Sequence, residues 1–560
     1  MQNEIQVRFK SGDNTGDKAV KISCPVGTVI ETIVPQFGPL PSPIAAVKAN
    51  NEIVSLAARL EVNTHLEPVL LESHTGVIVY RCSLAFLLAV AAKELFPERS
   101  LCIGHSLGHG YYYTFLEGNK PEKAEIEELS GKMLALVKQD LPISCRPMAY
   151  ADAMETFSTN HQDDTALLLE ERSESKVMIN ECAGFIDRYI HPLVNRTGLL
   201  DAFELMPYKD GFILRFPATG AGKHIAAFED SPMIFSVYSE YKKWGRILGV
   251  NSVGRLNRLV SDRKINEYIR IAEAIHEKKI SEIANQIYEK RDTVRAILIA
   301  GPSSSGKTTS AKRFSIALKV MGIEPIAISL DSYYLDKDKT PRDEKGELDY
   351  ECLESLDVPF LNQQLLSLFD GKEVTLPVYD FKIGRRREEG GRKIRLDSGA
   401  MLIIEGIHGL NDALTPQIKR ETKLKIYVSA LTQLNLDDHN RIPTSDNRLL
   451  RRMVRDYQFR GASAEKTFEM WPSVHRGERK HIFPFQNSAD AAFNSALDYE
   501  LAVLKVYAEP LLRSVKPDMK EFSEAARLLS FLENFTPILP HYVPGTSILR
   551  EFIGESDFKY

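Results

Sequence analysis

The chain has 560 residues, too many for one hydrophobic core, and its 43% hydrophobic and 26% charged content is that of an ordinary globular protein. A formal charge of −5 gives no global basic surface, so bulk electrostatic binding of nucleic acid is not expected. The opening "MQNEIQVRFKSGD" lacks a basic-then-apolar leader, and the longest apolar run, "LAFLLAVAA", falls far short of the ~18 residues a membrane span needs. Six scattered cysteines without a CxxC pair fit free thiols in a reducing compartment, so a cytoplasmic, multidomain α/β protein is expected.

In residues 1–70, "EIQVRF" and "AVKISC" alternate apolar and polar positions and read as paired strands, with "GDNTGD" as the turn between them. "TVIETIVPQFG" reads as a short helix stopped by Gly38, and "AAVKANNEIVSLAARL" as strands turning at Asn50–Asn51. In residues 71–255, "CSLAFLLAVAAKELFP" has helical spacing and stops at Pro97, and strands and helices follow. Residues 256–292 contain "INEYIRIAEAIHEKKISEIANQIYEKRD", whose isoleucines recur at helical intervals. It reads as a connecting helix, either packed on the surface or forming the seam of a homo-oligomer. From 293 to 510, "RAILIAG", "EPIAISLD", "AMLIIEG" and "KLKIYVSA" read as strands buried on both faces, alternating with helices in the doubly wound parallel pattern. The tail, 511–560, holds the helical "KEFSEAARLLSFLENF" and ends in "TSILREF".

Gly301-Pro-Ser303-Ser304-Ser305-Gly306-Lys307-Thr308-Thr309 satisfies GxxxxGK[ST] between a buried strand and a helix. Its glycines let successive backbone N–H groups face phosphate oxygens, Lys307 reaches the β/γ-phosphates, and the Thr308 hydroxyl serves Mg²⁺. ATP and Mg²⁺ are therefore the expected cofactors. Glu405, ending "LII" in "AMLIIEGIHG", sits where a strand's carboxyl end meets ligand and can hold the metal's hydration shell; a buried structural glutamate is the alternative. Asp331, in "IAISLDSYYLD", ends the strand after the P-loop helix, on the same sheet edge. It can orient an acceptor hydroxyl and take its proton, or cap a helix. In "NRLLRRMVRDYQFRG", Arg448, Arg451, Arg452, Arg455 and Arg460 lie mostly three or four residues apart. They form either a lid helix over the phosphates, with Arg451 and Arg455 as the catalytic candidates, or a solvated basic helix.

These elements in this order resemble the uridine kinase and phosphoribulokinase family of P-loop kinases, over about residues 293–510, through "GPSSSGKTT", "ISLDSYY", "GKEVTLPVYDF", "LIIEGIHGL" and "RLLRRMVRD". The resemblance implies transfer of the ATP γ-phosphate to a small-molecule hydroxyl, with Asp331 as base and Tyr334 and Tyr379 lining the acceptor site. Two departures bear on the acceptor. "DYECLESLD" puts Glu351 and Glu354 where such kinases carry ribose-holding aspartates, and Gly384 falls at about the place of their base-recognising histidine. Arg385, Arg386 and Arg387 follow it and either meet an anionic group on the acceptor, Arg386 being the candidate, or face solvent. A nucleoside is the leading acceptor, and a sugar, polyol or sugar phosphate is the rival.

The front half resembles the amino-terminal part of threonyl-tRNA synthetase: its TGS module over residues 1–70, and its editing-type domain from about 75 to 215, through "LLAVAAKELFP", "IGHSLGHGYYYTF" and "ECAGF". Aligned on "AAKELFP", Cys82 and Phe86 replace that domain's histidine pair. Cys182 matches its cysteine, and Ile186 replaces its last histidine, which implies that editing is lost. His105 and His109 have HxxxH spacing and, with Cys182, form a candidate zinc site; ordinary loop histidines are the alternative. The synthetase-like half also leaves open an RNA-associated protein with the P-loop module as a switch.

Overall fold

The computed structural model describes residues 4–10, 19–343, 346–380, 383–387 and 389–559. The expected "GDNTGD" turn lies outside the described residues. The first module is a five-stranded sheet in which Glu4–Lys10 pairs antiparallel with Ala19–Pro25 and parallel with Thr64–Leu70. Asn50 and Asn51 take φ of +50° and +66° between the strands Ile44–Ala49 and Glu52–Val54, the backbone a tight two-residue hairpin demands. The helix expected over "TVIETIVPQFG" is instead two 3₁₀ turns, Ile30–Thr32 and Val34–Phe37. Pro35 has no N–H to continue a helical ladder, and the β-branched residues before it disfavour one.

The second module wraps two sheets around the helix His74–Leu95. Ser73 caps this helix, its hydroxyl accepting from Gly76 N–H at 3.0 Å. Counting unbroken apolar runs understates this element: by length and composition it could cross a membrane, but most of it is buried inside the module. Leu84, Phe86, Leu88, Val90 and Ala91 are among its core residues.

Helix α1 (Ile265–Glu289) is no free connector. Ile269, Ile280, Ile283 and Ile287 are buried in the core shared with the carboxy-terminal sheet. That sheet has five parallel strands, β1 (Ala296–Ala300), β2 (Pro325–Ser329), β3 (Met401–Glu405), β4 (Lys423–Ser429) and β5 (Ala491–Asn494), in the order β2-β3-β1-β4-β5. Alternate residues of β1 enter different cores: Ile297 and Ile299 pack with α1 and α2 (Lys307–Val320), whereas Ala296 and Leu298 pack on the opposite face. Both faces are covered, which is why the strands read as unbroken apolar runs. The order reverses beside β1, so the crevice at the carboxyl ends of β1, β3 and β4 is where such a sheet binds ligand.

The modules are docked on one another. Leu107, Tyr112 and Tyr238 of the second module share a core with Ala300 and Tyr427, at the ends of β1 and β4. Ile103 N–H donates to Asp438 O at 2.8 Å, and Asn435 Nδ2 donates to Ile103 O at 2.7 Å. His439 Nδ1 lies 2.7 Å from Asp187 Oδ2.

Candidate active site

The loop after β1 is shaped by close approach. A Cβ on Gly301 would lie 1.9 Å from Val428 O, so only glycine fits between β1 and β4. Ser304 and Gly306 both sit in the left-handed region, at φ of +57° and +78°. The loop turns tightly, with Ser305 N–H donating to Pro302 O at 3.2 Å, and α2 starts at once with its orphan amides and positive dipole end. Ser303, Ser304, Ser305, Gly306, Lys307, Thr308 and Thr309 thus run through this turn into the first turn of α2.

Lys307 Nζ donates to Pro302 O at 3.0 Å. Burial pulls its pKa below the ordinary lysine value, while the charges of Glu405, Asp331 and Glu551 oppose that shift. Glu405 ends β3 and accepts from Ser329 Oγ, at the end of β2, at 2.6 Å. Burial and the charge of Asp331 push its pKa up to about 7, against the Ser329 hydrogen bond and Lys307. Asp331 is exposed in the 3₁₀ turn Leu330–Tyr333 that follows β2. Lys307, Glu405 and Asp331 therefore share one rim of the sheet, each near enough to perturb the others electrostatically. Among the described residues no group of three His, Cys, Asp or Glu side chains forms a metal cage. A Mg²⁺ ion needs less, because it takes one or two protein oxygens and completes its shell with phosphates and water. The Thr308 hydroxyl and Glu405 fit that demand.

The arginine helix α3 (Thr444–Arg460) corrects the sequence expectation. Leu449, Leu450, Met453 and Val454 bury one face in the main core, so α3 is a packed wall rather than a free lid. Arg451 is fully buried. Its Nε donates to Glu500 Oε2 at 3.0 Å, and the rest of its guanidinium donates to Glu500, Ser304 O, Ser495 Oγ and Ser495 O. With those acceptors engaged it buttresses the loop from behind. Arg455 Nε is held by Asp456 at 2.8 Å. Arg448 and Arg452 are the two arginines whose side chains reach Ser303, donating to its carbonyl at 2.9 Å and its hydroxyl at 2.8 Å. Glu478, on helix α4 (Ala464–His481), accepts from Ser303 N–H at 3.0 Å and pairs with Arg448. Glu478, Glu500 on α5 (Glu500–Ser514) and Glu551 in the tail were not singled out by sequence. Glu478 and Glu551 reach the loop and the start of α2 across 175 and 242 residues, Glu500 reaches Arg451 across 49, and no local motif marks them.

Beyond the turn that carries Asp331, the rings of Tyr334 and Tyr379 lie 5.7 Å apart, and the Tyr334 hydroxyl donates to Tyr350 O at 3.1 Å. Glu351 packs on Gly477, where a Cβ would lie 2.3 Å from its own. Burial and the neighbouring Glu478 push its pKa up to about 7, and Arg452 and Lys307 pull against them. Gly384 takes φ of +72° between the paired segments Tyr379–Asp380 and Arg385–Arg386, a conformation that favours glycine over any base-reading side chain. Phe381 and Lys382, part of the motif "YDFKIGRRR", lie outside the described residues. Arg386 is corrected as a candidate for an anionic acceptor. Its backbone N–H donates to Asp336, and its side chain donates to Tyr334 O, Tyr333 O and Asp357, pinning the loop after β2. Arg387 pairs with Asp380, and Arg385 is exposed.

The four editing-type positions of the second module are filled. Cys82 is buried enough to push its thiol up to about 12, and the Phe86 ring packs 5.7 Å from both Phe185 and Tyr189. Cys182 is buried and Ile186 half-buried. His105 lies in the strand Leu101–Ser106 against Tyr238, whereas His109 is exposed in the following turn, so the two share no face with Cys182.

Residues 296–502 match the model of the Phosphoribulokinase / Uridine kinase family, and this segment is a P-loop kinase domain of that family. The amino-terminal region matches threonine–tRNA ligases. That of Symbiobacterium thermophilum is 30% identical over 184 residues, covering 32% of this chain and 28% of the ligase. The chain spans only about a quarter to a third of the length of those curated relatives. Among solved structures, a possible uridine kinase from Bacillus stearothermophilus is 21% identical, with a TM-score of 0.27, over 39% of this chain and 98% of its own. Phosphoribulokinase from Rhodobacter spheroides is 16% identical, with a TM-score of 0.25, over 35% and 68%.

Proposed function

We propose that this protein transfers the γ-phosphate of ATP to a hydroxyl of a small molecule, a nucleoside such as uridine or cytidine before any other. The observation that carries the reading is the shared rim of Lys307, Glu405 and Asp331: a phosphate grip, a carboxylate for the metal, and an exposed carboxylate free to meet an alcohol. In this reading the loop amides and Lys307 hold the triphosphate. Thr308 and Glu405 hold Mg²⁺, which when bound supplies charge neutralisation between the phosphates. Arg448 and Arg452 stabilise the loop and its negative load. Asp331 accepts the acceptor's hydroxyl proton as the oxygen attacks in line, and Tyr334, Tyr379 and Glu351 wall the acceptor space.

A sugar or polyol acceptor is the second reading, favoured by the left-handed Gly384 where a base-reading side chain would stand. The internal engagement of Arg386 removes one motive for a phosphorylated acceptor. We propose also that the editing-type centre is silent, since the Phe86 ring and a strongly protonated Cys82 stand where its chemistry would be. An ADP-release screen over nucleosides, sugars, polyols and their phosphates tests the assignment. Turnover with uridine or cytidine well above the ATP-only background is expected. ADP release that no alcohol raises would overturn it.

A further inference from the structure

The carboxy-terminal tail ends in the phosphate cradle. Glu551, on the single helical turn Arg550–Ile553, accepts through Oε2 from Thr309 N–H at 3.1 Å and from Thr309 Oγ1 at 2.5 Å. Thr309 is the third residue of α2, so this N–H is one of the orphan donors at the positive end of the helix. Those donors are the ones a nucleotide's α/β-phosphates use in a P-loop. The contact is built in. Ile548 lies so close to Gly306 that a Cβ there would come within 2.6 Å of its Cγ2. The Phe552 ring lies 4.9 Å from the Arg451 guanidinium, and Lys312 donates to Lys559 O. Ile548, Leu549, Phe552 and Ile553 are all buried in the main core, so the backbone that carries Glu551 is fixed.

We propose that Glu551 is an intrinsic competitor of nucleotide: its carboxylate takes the place of a phosphate at the Thr309 donors and must swing out before ATP or ADP can seat. This rests on the P-loop kinase reading and adds its regulation. Two anions cannot share the Thr309 donors at hydrogen-bond distance, so each nucleotide bound displaces the two charge-assisted hydrogen bonds that Thr309 gives Glu551. The apparent affinity of the wild-type protein is lowered by that exchange. Because the buried neighbours hold the backbone, the motion belongs to the Glu551 side chain, and whatever shifts the tail shifts nucleotide affinity with it. The amino-terminal module is so placed: Asn51 Nδ2 donates to Pro517 O at 2.8 Å, and Ser523 Oγ donates to Asn51 O at 2.5 Å, both at the root of the tail.

Truncation even as late as Ile548 would strip Ile548, Leu549, Phe552 and Ile553 from the core, so the test is made on the full chain with Glu551→Gln and Glu551→Ala. Titration calorimetry with Mg·ATP and Mg·ADP reads affinity without relying on turnover. Both variants are expected to bind both nucleotides more tightly than wild type, about tenfold or more for Ala and less for Gln, which keeps one acceptor. If Ala fails to fold, the isosteric Gln variant still decides. Equal affinities in wild type and variants would overturn the gate and leave the kinase reading standing, as would weaker binding in the variants. No binding of either nucleotide by any form would overturn the phosphate cradle, and the gate with it.

Discussion

Arg451→Met separates support of the loop from action on the phosphates. Arg451 and Glu500 are both buried, and the guanidinium satisfies Glu500, Ser304 O and Ser495 at once. Methionine fills much of the volume but leaves Glu500 with Asn447 as its remaining side-chain partner. Breaking one side of a buried ion pair costs about 3–5 kcal/mol, because an uncompensated charge stays in the core. Burial already raises the Glu500 pKa, so taking up a proton relieves part of that cost. The loss should therefore be larger at pH 8 than at pH 5.5. With a urea m-value of about 2–3 kcal/mol/M, the midpoint should fall by roughly 1–2 M at the higher pH. Trp471 on α4 reports on this region, since the Arg448 guanidinium lies 5.6 Å from its ring, and Trp244→Phe removes the other tryptophan signal. Replacing both partners, Arg451→Met with Glu500→Leu, should restore most of the loss. An unchanged midpoint together with lost phosphoryl transfer would refute the reasoning and return Arg451 to the phosphates.

Glu405 serves a cation only when ionised, and its pKa is raised to about 7, so Mg²⁺-dependent nucleotide affinity should weaken as pH falls through about 7; Glu405→Gln should flatten that dependence in titrations at fixed Mg²⁺. Burial pulls the His439 pKa down, but the charge and hydrogen bond of Asp187, with Asp437 and Asp438, overcome it and raise it to about 9. A folded pKa above the ordinary 6.5 means the pair contributes fully below about pH 6.5 and is lost as pH rises through about 9, an effect of at most about 3 kcal/mol. His439→Asn should remove that alkaline slope from a series of urea midpoints. Arg386→Ala should lower thermal stability and slow transfer to every acceptor alike, whereas a selective loss toward phosphorylated acceptors would show that the side chain reads an anion after all.

What sequence reveals here follows the range of each interaction. The glycines at 301 and 306, the lysine that opens α2, the carboxylate ending β3 and the one just past β2 were legible, because local backbone geometry dictates residue type at each position. Val34–Phe37 misled because an apolar spacing fit for a helix is cut by Pro35, whose missing N–H leaves only a 3₁₀ turn. The arginines of α3 misled for another reason. Helical spacing places them on a face but does not say which face the core takes, and the core takes Arg451 while Arg452 reaches the loop. Glu478 and Glu551 were invisible, since each meets the loop across 175 and 242 residues of chain.

The account stands on an aspartate that acts on the acceptor and not on ATP. The direct measurement is phosphoryl transfer by Asp331→Asn, set beside its Mg·ATP dissociation constant. Transfer should fall by about 10²–10⁴ with the dissociation constant nearly unchanged. Transfer at the wild-type rate, or a parallel collapse of ATP binding, would contradict it.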